Sequence, residues 1–490
     1  MKINKTYTYA LLAALSLASC EKTIEKDPTA FISPSVALGQ IGTLQSLVIS
    51  AYDRMQDFNW YGNNIVLAGD VLADNVYTNP NIPAGGNRLI SVNQNVAGQG
   101  YAHWGIAYNA VNDVNLVIAS IDAVSADAAV KNQAKGEAYG IRAMAFFDIA
   151  RAYSYEPGKV PTTGQGAGFN KGIVLRIKPT TNAATAGPQV RATVEETYAQ
   201  IESDFKQAIA LLPATSSSTS KFKMNKAAAY AMLGRVYLYW GKYADAVTNF
   251  DLAIGTGFAT LAPAGGYAAQ FNKPTATSES FMELAFNGTT EITGVVGSNS
   301  TLYSYTNPTN RNGVTFGAQT VSDELVALFE DGDDRKALIY QYGASAATNA
   351  TGAKFNWTSK YSGGVVSPYV DNIKILRYAD VLLMKAEALA MQGQYAAAAA
   401  LVVTLRTNRN ATVTGIPTNA SIIPYILTER RRELFYEGQR FFDLKRRGMD
   451  ITKTAKIAGG TVPYTDRRIL MPIPTGEVNN VPGLPQNPGY

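Results

Sequence analysis

Residues 227–254 carry a spacing that a closely packed pair of helices satisfies. Leu233, Gly234, Tyr237, Gly241, Tyr243, Ala246, Phe250 and Ala253 alternate small and large side chains at helical intervals. The small ones let the two helices approach, and Gly241 with Tyr243 makes the turn between them. A looser copy in the same register lies at Ala386, Leu389, Gly393, Tyr395, Ala398 and Leu405. Such a pair cannot bury its apolar faces alone. It must stack on neighbours, so several helical units are expected.

The spacing is that of the tetratricopeptide repeat, and periodicity elsewhere supplies further helices. Leu38, Ile41, Leu44, Leu47, Val48, Ala51, Tyr52 and Met55 recur at three and four residues, predicting a helix over 36–57. The same pattern predicts helices over 102–122 and 128–154. Thr193-Val-Glu-Glu is a capping signature that opens a helix to about Leu212, where Pro213 stops it. Gly172-Ile-Val-Leu reads as a short strand. The expected fold class is mostly α, with tetratricopeptide-like units at about 102–154, 193–254 and 375–447.

Two stretches break this pattern. Residues 58–101 are rich in Asn and Gly, hold Pro80 and Pro83, and carry aromatics; a short helix near Val66–Val76 is the exception. Residues 259–370 hold Asn287-Gly288, Asn307-Pro308 and Asn312-Gly313 with Tyr303, Tyr305, Phe316 and Trp357. Both are longer than a connector needs. Long insertions on a rigid scaffold are where binding residues concentrate.

The N-terminus speaks to location. Lys2 and Lys5 precede an apolar run from Tyr9 to Leu17, too short to span a bilayer and built like an export signal. The run ends in Leu17-Ala-Ser-Cys20, and Cys20 is the chain's single cysteine. This looks like the lipobox of a bacterial lipoprotein, in which the signal (1–19) is removed and Cys20 is lipidated. Acyl chains anchor a protein durably when more than one is attached. Residues 20–35, with Glu21, Glu25, Asp27, Pro28 and Pro34, read as a tether to a body spanning 36–490. With its one thiol lipidated, the exported chain has no disulfide, and its core must hold it.

Composition excludes several activities. The 43 basic and 38 acidic side chains leave a mild net charge of +5, with no basic tail, so nucleic acid is not an expected partner. His103 is the only histidine, which rules out a His-rich metal site. It lies in Tyr-Ala-His-Trp, away from any nucleophile motif, and reads as structural or ligand-contacting. Asp331-Gly-Asp-Asp-Arg lacks calcium-loop spacing and reads as a helix-end loop. No catalytic residue, metal or cofactor is expected.

The C-terminal segment carries a longer motif series. Ile375-Leu-Arg-Tyr-Ala-Asp-Val-Leu-Leu-Met-Lys-Ala-Glu-Ala is followed by Leu405-Arg-Thr-Asn-Arg. Next comes Ile426-Leu-Thr-Glu-Arg-Arg-Arg-Glu-Leu-Phe-Tyr-Glu-Gly-Gln-Arg-Phe-Phe-Asp-Leu-Lys-Arg, then Leu470-Met-Pro-Ile-Pro and Asn487-Pro488. With Trp104, Tyr108, Asn115, Gly136-Glu137, Arg142-Ala143 and Asp331 to Arg335, this series resembles the SusD/RagB family of Bacteroidetes surface lipoproteins. The resemblance runs over nearly the whole mature chain. It implies four tetratricopeptide-like units forming one face, no enzyme activity, and a ligand site on loops away from that face. It also implies a surface-exposed, lipid-anchored location at the outer membrane beside a SusC-like TonB-dependent transporter. The ligand it implies is an oligosaccharide, or an oligopeptide as in the RagB branch. Two other readings are a tetratricopeptide scaffold that only assembles envelope proteins, which would not need the two aromatic-rich insertions, and a glycoside hydrolase with paired carboxylates, for which the sequence offers only ordinary acids.

Aromatic rings stack on the C–H faces of sugars, and amides, carboxylates and guanidinium groups meet their hydroxyls; peptide amides suit the same groups. The expected ligand residues are therefore Trp60, Tyr61, Asn63, Asn64, Asp74, Asn75, Tyr77 and Arg88 in the first insertion. In the second they are Tyr303, Tyr305, Arg311 and Trp357. Trp104 and Trp240 read as packing. The charged run Glu429–Arg447 reads as a helix stabilised by pairs three and four residues apart, such as Arg430 with Glu433, and locked to the repeats.

Overall fold

The computed structural model describes residues 34–78, 89–182, 184–214, 221–271, 273, 275–286, 301–308, 316–341, 355–363, 370–453 and 460–490. Cys20, Arg88 and Arg311 lie outside these residues, as do the signal and most of the tether.

The chain enters through α1 (Pro34–Leu38) and α2 (Ile41–Met55), so the helix expected over 36–57 is interrupted at Gly39-Gln40. The first insertion holds α3 (Asn64–Val71), β1 (Val76–Thr78) and α4 (Ile90–Asn93). Every residue of α3 is buried, so this stretch is not a solvent-facing loop. Helices α5 (Trp104–Ser120) and α6 (Ala128–Tyr153) follow as periodicity predicts. The strand expected at Gly172–Leu175 does not form; the segment is extended but pairs with no strand. Its backbone exchanges two hydrogen bonds with Ala192, at 2.7 and 2.8 Å, and side chains hold the rest: the Tyr108 hydroxyl donates to the Val174 carbonyl at 2.8 Å, and Ile173 N–H donates to Thr197 Oγ1.

Helix α7 (Val194–Leu211) opens with the expected capping box, the Thr193 hydroxyl accepting from Glu196 N–H and the Glu196 carboxylate accepting from Thr193 N–H. The repeat pair is α8 (Lys226–Trp240) and α9 (Tyr243–Gly255). A Cβ on Gly234 would sit 2.6 Å from the Phe250 ring, which shows why that position takes no side chain. Gly241 has φ +77° and ends α8 in the left-handed region that glycine adopts without cost.

The second insertion supplies β2 (Ser280–Leu284), α10 (Leu302–Thr306), β3 (Gln319–Val321), α11 (Asp323–Val326), β4 (Ile339–Tyr340) and β5 (Trp357–Thr358), and β6 (Ile373–Arg377) follows it. The looser repeat is α12 (Tyr378–Ala390) and α13 (Tyr395–Asn408), turned at Gly393 with φ +77°. Next come α14 (Ile422–Leu434), α15 (Arg440–Arg446), β7 (Ile451–Thr452), β8 (Thr461–Val462) and α16 (Thr475–Asn480).

The helices stack largely in chain order. α2 packs on α5, α5 on α6, α6 on α7, α7 on α8, α8 on α9, α9 on α12, and α12 on both α13 and α14. Polar clamps tie neighbours together. Arg142 of α6 donates to both carboxylate oxygens of Asp204 on α7, at 2.8 and 2.6 Å, and to Asn115 on α5 at 2.8 Å. Trp104 is buried, as expected for packing. Trp240 is only half-buried, against the expectation of core: it lies at the edge of the stack, where Lys242 Nζ sits 3.4 Å from its ring centroid. Among the described residues no helix is long and apolar enough to cross a membrane.

The charged run is locked to other segments, but mostly not through the pairs that its spacing predicts. Arg430 does not pair with Glu433. It donates to Asp380 of α12 and Asp443 of α15, each at 2.8 Å. Glu433 accepts from Arg409 at 2.9 Å, Arg377 at 3.0 Å and Arg335 at 3.4 Å. Glu429 accepts from Arg335 and Arg406, and Glu437 from Arg377 and Lys360. Glu279, just before β2, receives Arg377 and Arg409 at 2.7 Å each. Only Arg432–Glu429 and Arg446–Asp443 keep the three-residue spacing within this run. The lattice is buried and long-range. It fastens α14 to the second insertion, and so fixes the insertion on the repeats.

Candidate functional site

The two insertions meet. β1 and β3 pair antiparallel with Tyr77 opposite Thr320, Val321 bridges to Asn356, and β4 pairs with β5 through Tyr340 and Trp357. Strands from both insertions thereby form one small array, Tyr77 and Thr320 being 243 residues apart in sequence. On it Tyr77 stacks against Phe355, with centroids 6.0 Å apart and planes 13° from parallel. Phe355 meets Trp357 edge to face at 6.2 Å. Tyr77 and Tyr340 are half-buried around this pair, and Gln341 donates to Asn356 at the margin. Half-exposed rings beside amides give a surface that can take a sugar's C–H face and its hydroxyls together.

A cavity opens beside the array. Its walls are Gly62, Phe286, Thr301, Leu302, Tyr303, Tyr361, Val370, Asp371 and Ile373, with ≈ 20 Å³ of space. Asn307, just past α10, joins cavity to array: it accepts from the Tyr340 hydroxyl at 2.7 Å and donates to the Tyr361 carbonyl at 2.8 Å. A larger cleft of ≈ 570 Å³ lies elsewhere, between α2 and α6, walled by Val48, Ile49, Tyr52, Val130 and Glu137 among others. Its central polar groups are spent on one another, the Tyr52 hydroxyl and Gln133 both donating to Glu137.

Burial sorts the expected ligand residues. Trp60 is 0% exposed, with its indole N–H on Asp148 at 2.8 Å and its ring stacked on Tyr61 and His103. It offers no face to a ligand, and Tyr61 and Asn63 are buried with it. Asn64 is committed to the backbone of Gly100 and Ala102. Asn75 donates to Asp70 and accepts from Arg431. Asp74 accepts two bonds from Arg440, at 2.7 and 2.8 Å; burial pushes its carboxyl up, but Arg440 and Arg431 outweigh this and hold it below the usual range. Tyr305 packs on Phe316 and Phe58. Trp357 is buried and donates to the Gly317 carbonyl at 3.0 Å. Tyr77 sits on the array and Tyr303 lines the cavity. The expectation therefore changes for the two tryptophans: each is a packing residue of the insertion that carries it.

Sequence reading missed Phe355, Tyr340, Tyr361 and Asp371. Phe355 alternates with Trp357 across Asn356, which is a strand signal. Asp371 precedes the apolar run of β6, and nothing in its spacing marks it.

His103 is fully buried among Trp60, Tyr101 and Tyr153. Burial pushes its imidazole down to about 4, so the ring is neutral, and its role is structural. The Asp331–Arg335 loop caps a short 3₁₀ turn through Asp333, while Asp331 pairs with Lys336. Among the described residues no group of three His, Cys, Asp or Glu side chains could hold a metal ion.

The fold is a helical stack carrying two insertions joined by short strands, and comparison places it in a family. Residues 39–238 match a family model described as SusD-like, starch-binding and associating with the outer membrane; residues 360–490 match the SusD family model. The chain belongs to the SusD/RagB family. It is 25% identical to SusD-like protein P38 of Formosa agariphila, the alignment covering 99% of each. A SusD superfamily protein of Bacteroides thetaiotaomicron superposes with a TM-score of 0.78 at 23% identity, over 92% of this chain and all of that one. A laminarin-binding SusD-like protein superposes with a TM-score of 0.71 at 21% identity, over 92% and 99%.

Proposed function

We propose that this protein is a surface lipoprotein, anchored at Cys20, that captures oligosaccharides and hands them to a SusC-like TonB-dependent transporter in the outer membrane. Catalysis is no part of this role. The observation that carries the reading is the Tyr77–Phe355 stack on the strand array where both insertions meet. The family's starch-binding description and the laminarin-binding neighbour support a sugar as the ligand.

Tyr77→Ala is expected to weaken oligosaccharide binding about fivefold, since an aromatic contact contributes on the order of 1 kcal/mol. Calorimetric titration of the body from residue 34 onward with starch and laminarin oligosaccharides checks this. Binding of a peptide panel but of no sugar would move the ligand class to oligopeptides. Cys20→Ser is expected to shift the full chain from the membrane fraction to the soluble fraction after cell lysis. Retention at the membrane would remove the lipid anchor from this account.

A further inference from the structure

Among the described residues Asp371, Glu156 and Glu283 each keep a buried carboxylate oxygen without a hydrogen-bond partner, and lysines pair with the latter two. Most of the other buried acids are matched by arginine, lysine or amide donors. Asp371 is 8% exposed, and its Oδ2 accepts from Gly363 N–H at 2.9 Å. Ser362 adds hydrogen bonds to this carboxyl from its hydroxyl and its backbone, yet Oδ1 is buried with no partner within hydrogen-bond distance among the described residues. A buried carboxylate oxygen without a donor is costly, and such an atom calls for a partner. Asp371 lines the cavity described above.

The other walls narrow what that partner is. Tyr361 spends its hydroxyl on the Tyr436 carbonyl, and Thr301 shares its own with Ser304 at 2.8 Å. Phe286, Leu302, Val370 and Ile373 are apolar, and Tyr303 turns a ring toward Gly363, where a Cβ would meet it at 2.3 Å. Among the described walls, one unpaired anionic oxygen beside rings and aliphatics is too few for a calcium ion, which takes six or more. It is also too few for an ammonium, which brings three donors. A hydroxyl brings one donor, and the carbon that bears it presents C–H bonds to the rings. The ≈ 20 Å³ of space exceeds the roughly 10–15 Å³ that a water-sized group needs.

We propose that the Asp371 cavity is a hydroxyl-recognition subsite, in which Oδ1 accepts a hydrogen bond from one sugar hydroxyl seated between Tyr303 and Tyr361. The proposal rests on the oligosaccharide reading and adds a residue that selects orientation: only a sugar with a hydroxyl projecting into the cavity satisfies it. The carboxylate-to-hydroxyl bond is charge-assisted and stronger than one between neutral groups.

Two measurements test it. The first is a crystal of the body soaked in glucose. The expected result is a glucose hydroxyl within hydrogen-bond distance of Asp371 Oδ1; water alone there, or glucose bound only elsewhere, overturns the subsite. The second is titration of wild type and Asp371→Asn with laminarin oligosaccharides. The amide keeps one oxygen for Gly363 N–H and turns an NH₂ into the cavity, so the fold is retained and the acceptor is lost. Affinity is expected to fall by on the order of tenfold. Equal affinities in the two proteins overturn the subsite while leaving sugar binding intact. If wild type binds no laminarin oligosaccharide, the sugar reading loses its support, and the glucose soak then decides the subsite by itself.

Discussion

Glu433→Ala is expected to lower the stability of the folded chain by about 3–5 kcal/mol, read as a fall in the urea unfolding midpoint. Glu433 is fully buried and faces Arg409, Arg377 and Arg335. Desolvation opposes its charge, but the three guanidinium groups outweigh burial and hold its carboxyl well below the usual range. Removing it leaves three buried cations sharing fewer anions, and that residual charge, more than the lost bonds, sets the cost. Glu433→Gln keeps the shape and should fall between the two. An unchanged midpoint for Glu433→Ala would mean that Glu279 and Glu429 suffice for the arginines.

The lattice also sets an acid limit. Glu429, Glu433 and Glu437 are all held below the ordinary glutamate value by their arginine and lysine neighbours, against burial. A carboxyl whose folded value lies below its unfolded value of about 4.3 contributes fully above that pH. The contribution is lost as pH falls through the lower, folded value. Unfolding by acid is therefore expected below about pH 4 rather than between 5 and 7, and Glu433→Gln should lessen the pH dependence.

Trp60→Ala is expected to cost about 3–5 kcal/mol, the usual range for removing a buried tryptophan. The ring fills space against Tyr61 and His103, and its N–H satisfies Asp148, which also pairs with Arg151. The variant's unfolding midpoint should fall sharply while the folded fraction binds oligosaccharide with unchanged affinity. Full stability with lost binding would return Trp60 to the site. Tyr77→Ala should show the opposite pattern, because its ring is half exposed and its loss opens no internal void.

The contrast between these two aromatics shows where sequence reading stopped. Both lie in the first insertion beside Asn and Asp, and residue type and neighbours do not separate them. Trp60 is buried because His103 and Asp148 close over it; Tyr77 stays half exposed while its partner Phe355 is buried beneath it. The charged run divides in the same way. Arg430 and Glu433 stand three apart on α14, a spacing that reads as a pair, yet each turns to acids or arginines on other segments.

The sequence by itself determined the helices and their turns. The α8–α9 pair, Gly241 and Gly393 at the turns and the Thr193 capping box depend on spacings within a few tens of residues, where local geometry sets the outcome. The motif series of α12 to α15 likewise marked the family. Tertiary structure alone decided which side chains meet a ligand and which charges are buried. Those outcomes depend on contacts across hundreds of residues, such as β1 with β3 and Glu279 with Arg409. Desolvation there is set by whichever segment closes over the group, and no local pattern encodes that.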